Sequence, residues 1–197
     1  MAACEADSSL DATAILSTPI QFFASQHILI SCGTVPVDPL ARKIATLRDT
    51  KHGIIQLPKG RKNVDEDLLT AALRETYEET GLRFEPLPLK MATRATPVVA
   101  LADGEDPGLT EGIECCEVSS VCVYPCKWTG AFKMVFWFAA KGRVGDEQVK
   151  GTMEPWEEDC EVEWVDAQEA AGRMSTDGDA KAVEKVLEDM RRTGYDI

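Results

Sequence analysis

Between Leu57 and Leu82 the chain reads LPKGRKNVDEDLLTAALRETYEETGL, and the end of this stretch holds Glu75, Glu78 and Glu79 at positions i, i+3 and i+4. On a helix these spacings put the three Cβ atoms about 5 to 6 Å apart on one face. Like charges so placed destabilise a helix by roughly 0.2–0.5 kcal/mol per pair, so the cluster makes physical sense if a cation neutralises it. Carboxylate oxygens are hard donors that favour Mg²⁺, Mn²⁺ or Ca²⁺ over zinc. Arg74 stands four residues before Glu78 and can brace it; the alternative reading is a solvated acidic face stabilised by Arg74 alone.

These side chains need a rigid carrier. From Asp65 to Thr80 the period is helical, with Leu69, Ala72, Leu73, Thr76 and Thr80 on one stripe, Asp65 as N-cap and Gly81 as the stop. At about 100° per residue the carboxylates lie roughly 120° from that stripe, so one side of the helix can seal a core while the next presents ligands. Strands are expected over Gln26 to Val37, Lys43 to Leu47, near Ile54 to Leu57, Lys90 to Leu101, Val118 to Tyr124, Lys133 to Ala140 and Glu161 to Val165. An amphipathic helix from Asp179 to Thr193 presents Val183, Val186, Leu187 and Met190, with Gly194 as its stop. The pattern predicts an α+β domain over 26–197, a mixed sheet between helices, preceded by an arm over 1–25. Ala102 to Glu117 reads as an acidic surface insertion.

The chain has 197 residues, and Lys+Arg 21 against Asp+Glu 34 gives a net charge of -13. Such a surface repels phosphate backbones and anionic lipid, which counts against nucleic-acid and membrane partners. No apolar run approaches the ~20 residues of a membrane span. The first 41 residues lack Lys and Arg, so a secretory leader is not expected and a cytoplasmic location is, with the nucleus as alternative. The odd count of seven cysteines fits free thiols, and the Cys115, Cys116, Cys122, Cys126 cluster has poor zinc spacing. His27 and His52 lack a triad context, and the four tryptophans default to core packing or anchoring, with base stacking by one of them the lesser option.

Gly60, Glu66 and the run Arg74-Glu75-Thr76-Tyr77-Glu78-Glu79-Thr80-Gly81-Leu82 resemble the Nudix box, the signature of Nudix hydrolases. The flanking strands and FKMVFWFAA also look like that family, most nearly its fungal members. Thr76 departs from the pattern, which usually has an aliphatic residue there. The resemblance implies an αβα sandwich around a mixed β-sheet and hydrolysis of a phosphoanhydride. It also implies that Glu75, Glu78 and Glu79 ligate Mg²⁺ or Mn²⁺, with the Gly60 carbonyl as a further ligand and Arg74 and Glu66 orienting the carboxylates. The base is then Glu78 or Glu79, or a later acid among Glu154, Glu157 and Glu158.

A diphosphate repels a nucleophile, and divalent ions lower that barrier by bridging its oxygens and acidifying a bound water. Lys59, Arg61 and Lys62 beside Gly60, with Arg48, Arg94 and Lys133 near strand ends, are the candidate contacts to a densely phosphorylated small molecule. Diphosphoinositol polyphosphates and dinucleoside polyphosphates are the expected substrate classes. The alternatives are mRNA decapping, against which the acidity counts, and a non-catalytic binding module, against which the retained glutamates count. Oligomeric state is left open by the sequence.

Overall fold

The computed structural model describes residues 21–96, 108–154 and 159–197. Of the expected features, residues 1–20 of the arm, 97–101 of the strand from Lys90, 102–107 of the acidic loop, and Trp156, Glu157 and Glu158 lie outside that set. In chain order the elements are β1 (Ile28–Asp38), β2 (Lys43–Asp49), β3 (Ile54–Gln56), β4 (Lys59–Arg61), α1 (Leu68–Thr80), β5 (Glu85–Pro86), β6 (Leu89–Lys90), β7 (Glu114–Cys115), β8 (Ser120–Pro125), β9 (Phe132–Lys141), β10 (Cys160–Asp166), α2 (Ala167–Arg173) and α3 (Asp177–Thr193).

The centre is the parallel pair β1 and β9, in register from Ile28 opposite Phe132 to Val37 opposite Lys141. Both strands are covered on both faces along much of their length, which is why both read as nearly continuous apolar runs. Neighbours run in the order β10, β2, β1, β9, β5, and every other pairing in this sheet is antiparallel. Strand β2 meets β1 only at Val37–Ile44 and Asp38–Lys43. Beyond that point β4 takes the free edge of β1, with Gly60 opposite Cys32. Strand β4 is thereby fixed beside α1.

Side-chain parity divides the core. Val35, Val37, Val135, Trp137 and Ala139 join Val183, Val186, Leu187 and Met190 of α3, whereas Cys32 and Phe138 join Ala71 and Ala72 of α1. The result is an α+β sandwich with α1 on one face and α2 with α3 on the other, as the sequence predicts. Helix α3 starts at the Thr176 cap, whose hydroxyl accepts from Asp179 N, and ends at Gly194 with φ 108°.

Three expectations are corrected. The cap of α1 is Asp67, which accepts from Thr70 N, while Asp65 has φ 60° in the loop before it. The buried stripe is Ala71, Ala72, Thr76 and Thr80; Leu69 and Leu73 are only half-buried. The strand from Lys90 ends almost at once: β6 stops at Lys90, where Met91 N turns back to donate to the Leu89 carbonyl at 3.0 Å, and only an isolated Thr93–Thr110 bridge follows. Helix α2 and the strands β4 and β5 are additions to the expected elements. The expected surface insertion also carries β7, which pairs with β6. Among the described residues, no helix is long and apolar enough to cross a membrane, and the cysteines are free thiols.

Candidate active site

Arg74 organises the exposed face of α1. Its Nε and Nη2 donate to the two oxygens of Glu66 at 2.8 and 2.9 Å, a bidentate pair. Its Nη1 donates to Glu75 Oε1 and to Glu78 Oε2, both at 2.7 Å, and Nη2 also reaches the Arg61 carbonyl at 2.9 Å. One guanidinium thus ties the loop before α1, two helix carboxylates and strand β4. Its hydrogen bonds hold the Glu66 carboxyl below its ordinary range, and Glu66 in turn holds the Arg74 proton more tightly. Glu66 Oε2 also accepts from Asn63 N, which closes the loop.

Gly60 explains where Glu75 points. A Cβ on Gly60 would lie 1.8 Å from Glu75 Oε2, so the bare α-carbon is the seat of that carboxylate. Glu79 is anchored one residue earlier on the same strand, accepting from Lys59 N at 2.8 Å. Glu75 and Glu79 therefore face the start of β4, while Glu78 is held by Arg74 and is more open, its side chain 44% exposed against 13% for Glu75. Among the described residues, no group of three or more His, Cys, Asp or Glu is clustered closely enough to hold a metal ion as placed. The donor set nevertheless suits a hard divalent cation: carboxylate oxygens on one rigid helix, with the Gly60 carbonyl on the facing strand.

A model of the NUDIX domain matches residues 40–188. The chain belongs to the Nudix family. No curated protein matches it in sequence. Among solved structures, a C. elegans Ap4A hydrolase aligns with TM-score 0.51 at 20% identity, covering 82% of this chain and 97% of that one. The same worm enzyme in a binary complex gives TM-score 0.54 at 18% identity, with 83% and 98% covered. A MutT protein from Bacillus halodurans gives 0.51 at 20%, with 81% and 82% covered. These likenesses show a shared fold. The chain is a Nudix hydrolase, in a family whose members act on phosphorylated small molecules and generally use a divalent metal.

The expected cations divide. Lys59, Arg61 and Lys133 lie within electrostatic reach of one another: Lys133 is pushed down by burial first, then by the charges of Lys59 and Arg61, and Glu79 acts in the opposite sense. Lys62 donates to the Asn63 carbonyl at 2.8 Å, within electrostatic reach of Glu66. Arg48 is not brought to the site. It follows Leu47, which shares a small hollow with Glu79, and strand parity sends Arg48 to the opposite face. Arg94 is exposed beside the Thr93–Thr110 bridge, on a segment whose neighbour β6 packs against α3 rather than the Nudix helix. Glu154 is exposed. His52 is engaged by Asp49 at 2.7 Å on the surface.

Sequence reasoning missed the adjoining cavity. It measures about 310 Å³ and is lined in part by Gln56, Lys59, Tyr124, Trp137, Thr176 and Asp179. Gln56 also lines the Leu47 and Glu79 hollow, and it accepts from Lys59 Nζ at 2.9 Å, so the cavity runs on from the glutamate helix. Asp179 is 4% exposed, and burial pushes its carboxyl above the ordinary aspartate range. A larger open hollow of about 640 Å³, lined by Asp38, Arg83, Lys141 and Arg143, lies at the far end of β1 and β9 with charges of both signs. The smaller cavity is the one that adjoins the glutamate helix, through Gln56.

Proposed function

We propose that the chain is a Mg²⁺- or Mn²⁺-dependent pyrophosphohydrolase that cleaves a phosphoanhydride bond in a densely phosphorylated small molecule, with dinucleoside and diphosphoinositol polyphosphates as the classes to test first. The observation that carries this reading is Lys59: its amide anchors Glu79 while its charge reaches Lys133, which Arg61 and Glu79 also reach. Acid and base are thus set side by side in a chain whose overall charge repels anions.

Glu75, Glu78 and Glu79, with the Gly60 carbonyl, would hold the ion, which when bound screens phosphate charge and lowers the pKa of an attacking water. Arg74 and Glu66 keep the carboxylates aimed at β4. Lys59, Arg61 and Lys133 take the phosphate oxygens, which lowers their repulsion of the nucleophile. Glu78, more exposed than Glu75, and Glu79, beside the cations, are the groups placed to accept the water's proton.

The deciding experiment is chromatographic detection of the hydrolysis products of dinucleoside polyphosphates, diphosphoinositol polyphosphates, ADP-ribose, NADH and cap analogues, with Mg²⁺ or Mn²⁺, for wild type and Glu79→Gln in parallel. Turnover of at least one compound by wild type and its collapse in the variant is the expected result. A chain inert on the whole panel, or equal rates in the two proteins, defeats the proposal.

A further inference from the structure

We propose that the open apolar face of the sheet beyond α1, made by Ile30, Met134, Val121 and Val123, is a docking surface for the chain's own N-terminal arm, residues 10–20, rather than for a second molecule.

Strand parity builds this face. Cys32 of β1 and Phe138 of β9 pack on Ala71 and Ala72 of α1, so Ile30 and Ile28, which precede Cys32 at alternate positions, point to the same side. The register sets Ile28 opposite Phe132 and Ile30 opposite Met134, and it sets Met134 opposite Val123 and Phe136 opposite Val121 on β8. The other side of β9, with Val135 and Trp137, is sealed in the core beneath α3. The α1 side is sealed only where the helix reaches Cys32, Phe136 and Phe138. Beyond that point Ile30 is 37% exposed, Val121 42% and Val123 50%, with Phe132 and Met134 half-buried between them. A contiguous apolar surface spanning three strands marks a place that something else covers.

Two observations name the occupant. The first is where the arm meets the sheet: the Phe23 ring lies with its centre 4.7 Å from that of Phe132, at the border of the open face. Strands stand about 4.8 Å apart and an extended chain spans about 3.3 Å per residue, so the residues preceding Phe23 are ample to cross β9 and β8. The second is charge. Residues 1–20 carry Glu5, Asp7 and Asp11 and no Lys or Arg, and the segment 10–20, LDATAILSTPI, adds Leu10, Ile15, Leu16 and Ile20. The face has the complementary balance: residues 118–145 hold Lys127, Lys133, Lys141 and Arg143 and no Asp or Glu. Lys127 sits in the turn between β8 and β9, and Lys62, whose amide donates to the Ile30 carbonyl at 3.2 Å, borders the opposite edge. A tethered segment meets such a face at an effective concentration on the order of millimolar. Two whole chains, each of net charge -13, repel one another instead.

The full chain supplies both tests. A photo-reactive benzophenone side chain is placed at Leu16, and the protein is irradiated after mixing with an isotope-labelled copy, so that links within one chain and links between two are told apart by mass. The expected links lie within one chain and join the arm to peptides carrying Ile30, Val121, Val123 or Met134. The second readout is oxidation of Met134 to its sulfoxide by dilute hydrogen peroxide, followed by peptide mass spectrometry. The double variant Ile15→Asp, Leu16→Asp should oxidise Met134 at least about threefold faster than wild type, and so should Val123→Asp, which sets an acid beneath the acidic arm. Met190, fully buried under the opposite face, should keep its wild-type rate in both and so report an intact fold. The proposal is overturned if the links join two chains, if they fall outside this face, or if Met134 oxidises alike in wild type and in either variant. Neither readout involves catalysis, so failure here leaves the hydrolase reading to the activity panel alone.

Discussion

The hydroxyls of Thr34 on β1 and Thr76 on α1 meet in the buried seam between sheet and helix, their Oγ1 atoms 2.7 Å apart. Thr76 Oγ1 also donates to the Ala72 carbonyl at 2.7 Å, so the proton between the two hydroxyls belongs to Thr34. This pair accounts for a threonine where the Nudix box usually has an aliphatic side chain: the facing strand supplies a matching polar group. Thr76→Val should cost about 1–3 kcal/mol, because it strands the Thr34 hydroxyl, whereas Thr34→Val combined with Thr76→Val should be close to neutral. Urea denaturation of the two single variants and the double variant measures the coupling; additive losses would contradict it.

The same helix shows what the sequence discloses and what it hides. Its existence, its Gly81 stop and its glutamate face follow from the 3.6-residue period and a left-handed cap, both local properties. Its start was harder to read because the loop offers Asp65 and Asp67 two residues apart, and only folding shows that Asp65 turns the chain while Asp67 caps it. Strand β4, Lys-Gly-Arg, has no alternation to read; it is a strand because β2 leaves the edge of β1 vacant there. Helix α2 is built largely of small residues and depends on packing against α3 and β10. Which way Arg48 faces depends on strand register, and the cavity lined by Trp137 and Asp179 forms only where α3 packs on the sheet, so neither can be read from local pattern.

Gly60→Ala tests the seat of Glu75 separately from its charge. The added methyl meets the tip of a flexible side chain rather than backbone, so the fold should survive with a loss of about 1 kcal/mol or less. Glu75 must swing away, however, and turnover should fall at least about tenfold, since a misplacement of about 1 Å is enough for such losses. Near-normal turnover in a well-folded variant would show that the Glu75 position is not needed.

Glu79→Gln keeps the shape of the side chain and its bond from Lys59 N while removing a charge. Turnover should drop by on the order of 10²–10⁴, the usual worth of a positioned base, with an unfolding midpoint within a few degrees of wild type. Steady-state kinetics beside thermal melts checks both halves. Equal losses of activity and of folded protein would assign Glu79 a structural role instead.

Glu66 gives the acid limb of stability. Its folded carboxyl is depressed below 4.5, first by the hydrogen bonds from Arg74. A depressed acid contributes above its unfolded pKa, and that contribution fades as pH falls through the folded value. Glu66→Gln should therefore be about 1–2 kcal/mol less stable than wild type at pH 7, with the gap closing below about pH 4. Denaturation midpoints at pH 7, 5 and 3 check the trend; a gap constant with pH would rule out the ionised pair as its source.

Asp179 has the opposite sign. Its folded carboxyl is raised above 3.8, first by burial, so the stability it allows is full below 3.8 and is lost as pH rises through the folded value. At pH 7 the wild type thus carries a buried, partly unpaired acid that Asn would relieve. Asp179→Asn should melt higher by roughly 2–4 °C at pH 7, the shift about 1 kcal/mol produces in a chain of this size, and the two proteins should converge near pH 3. A residue kept only for folding would show the reverse, with Asn less stable. An Asn variant no more stable than wild type at pH 7 would show that burial does not set the sign of the Asp179 contribution.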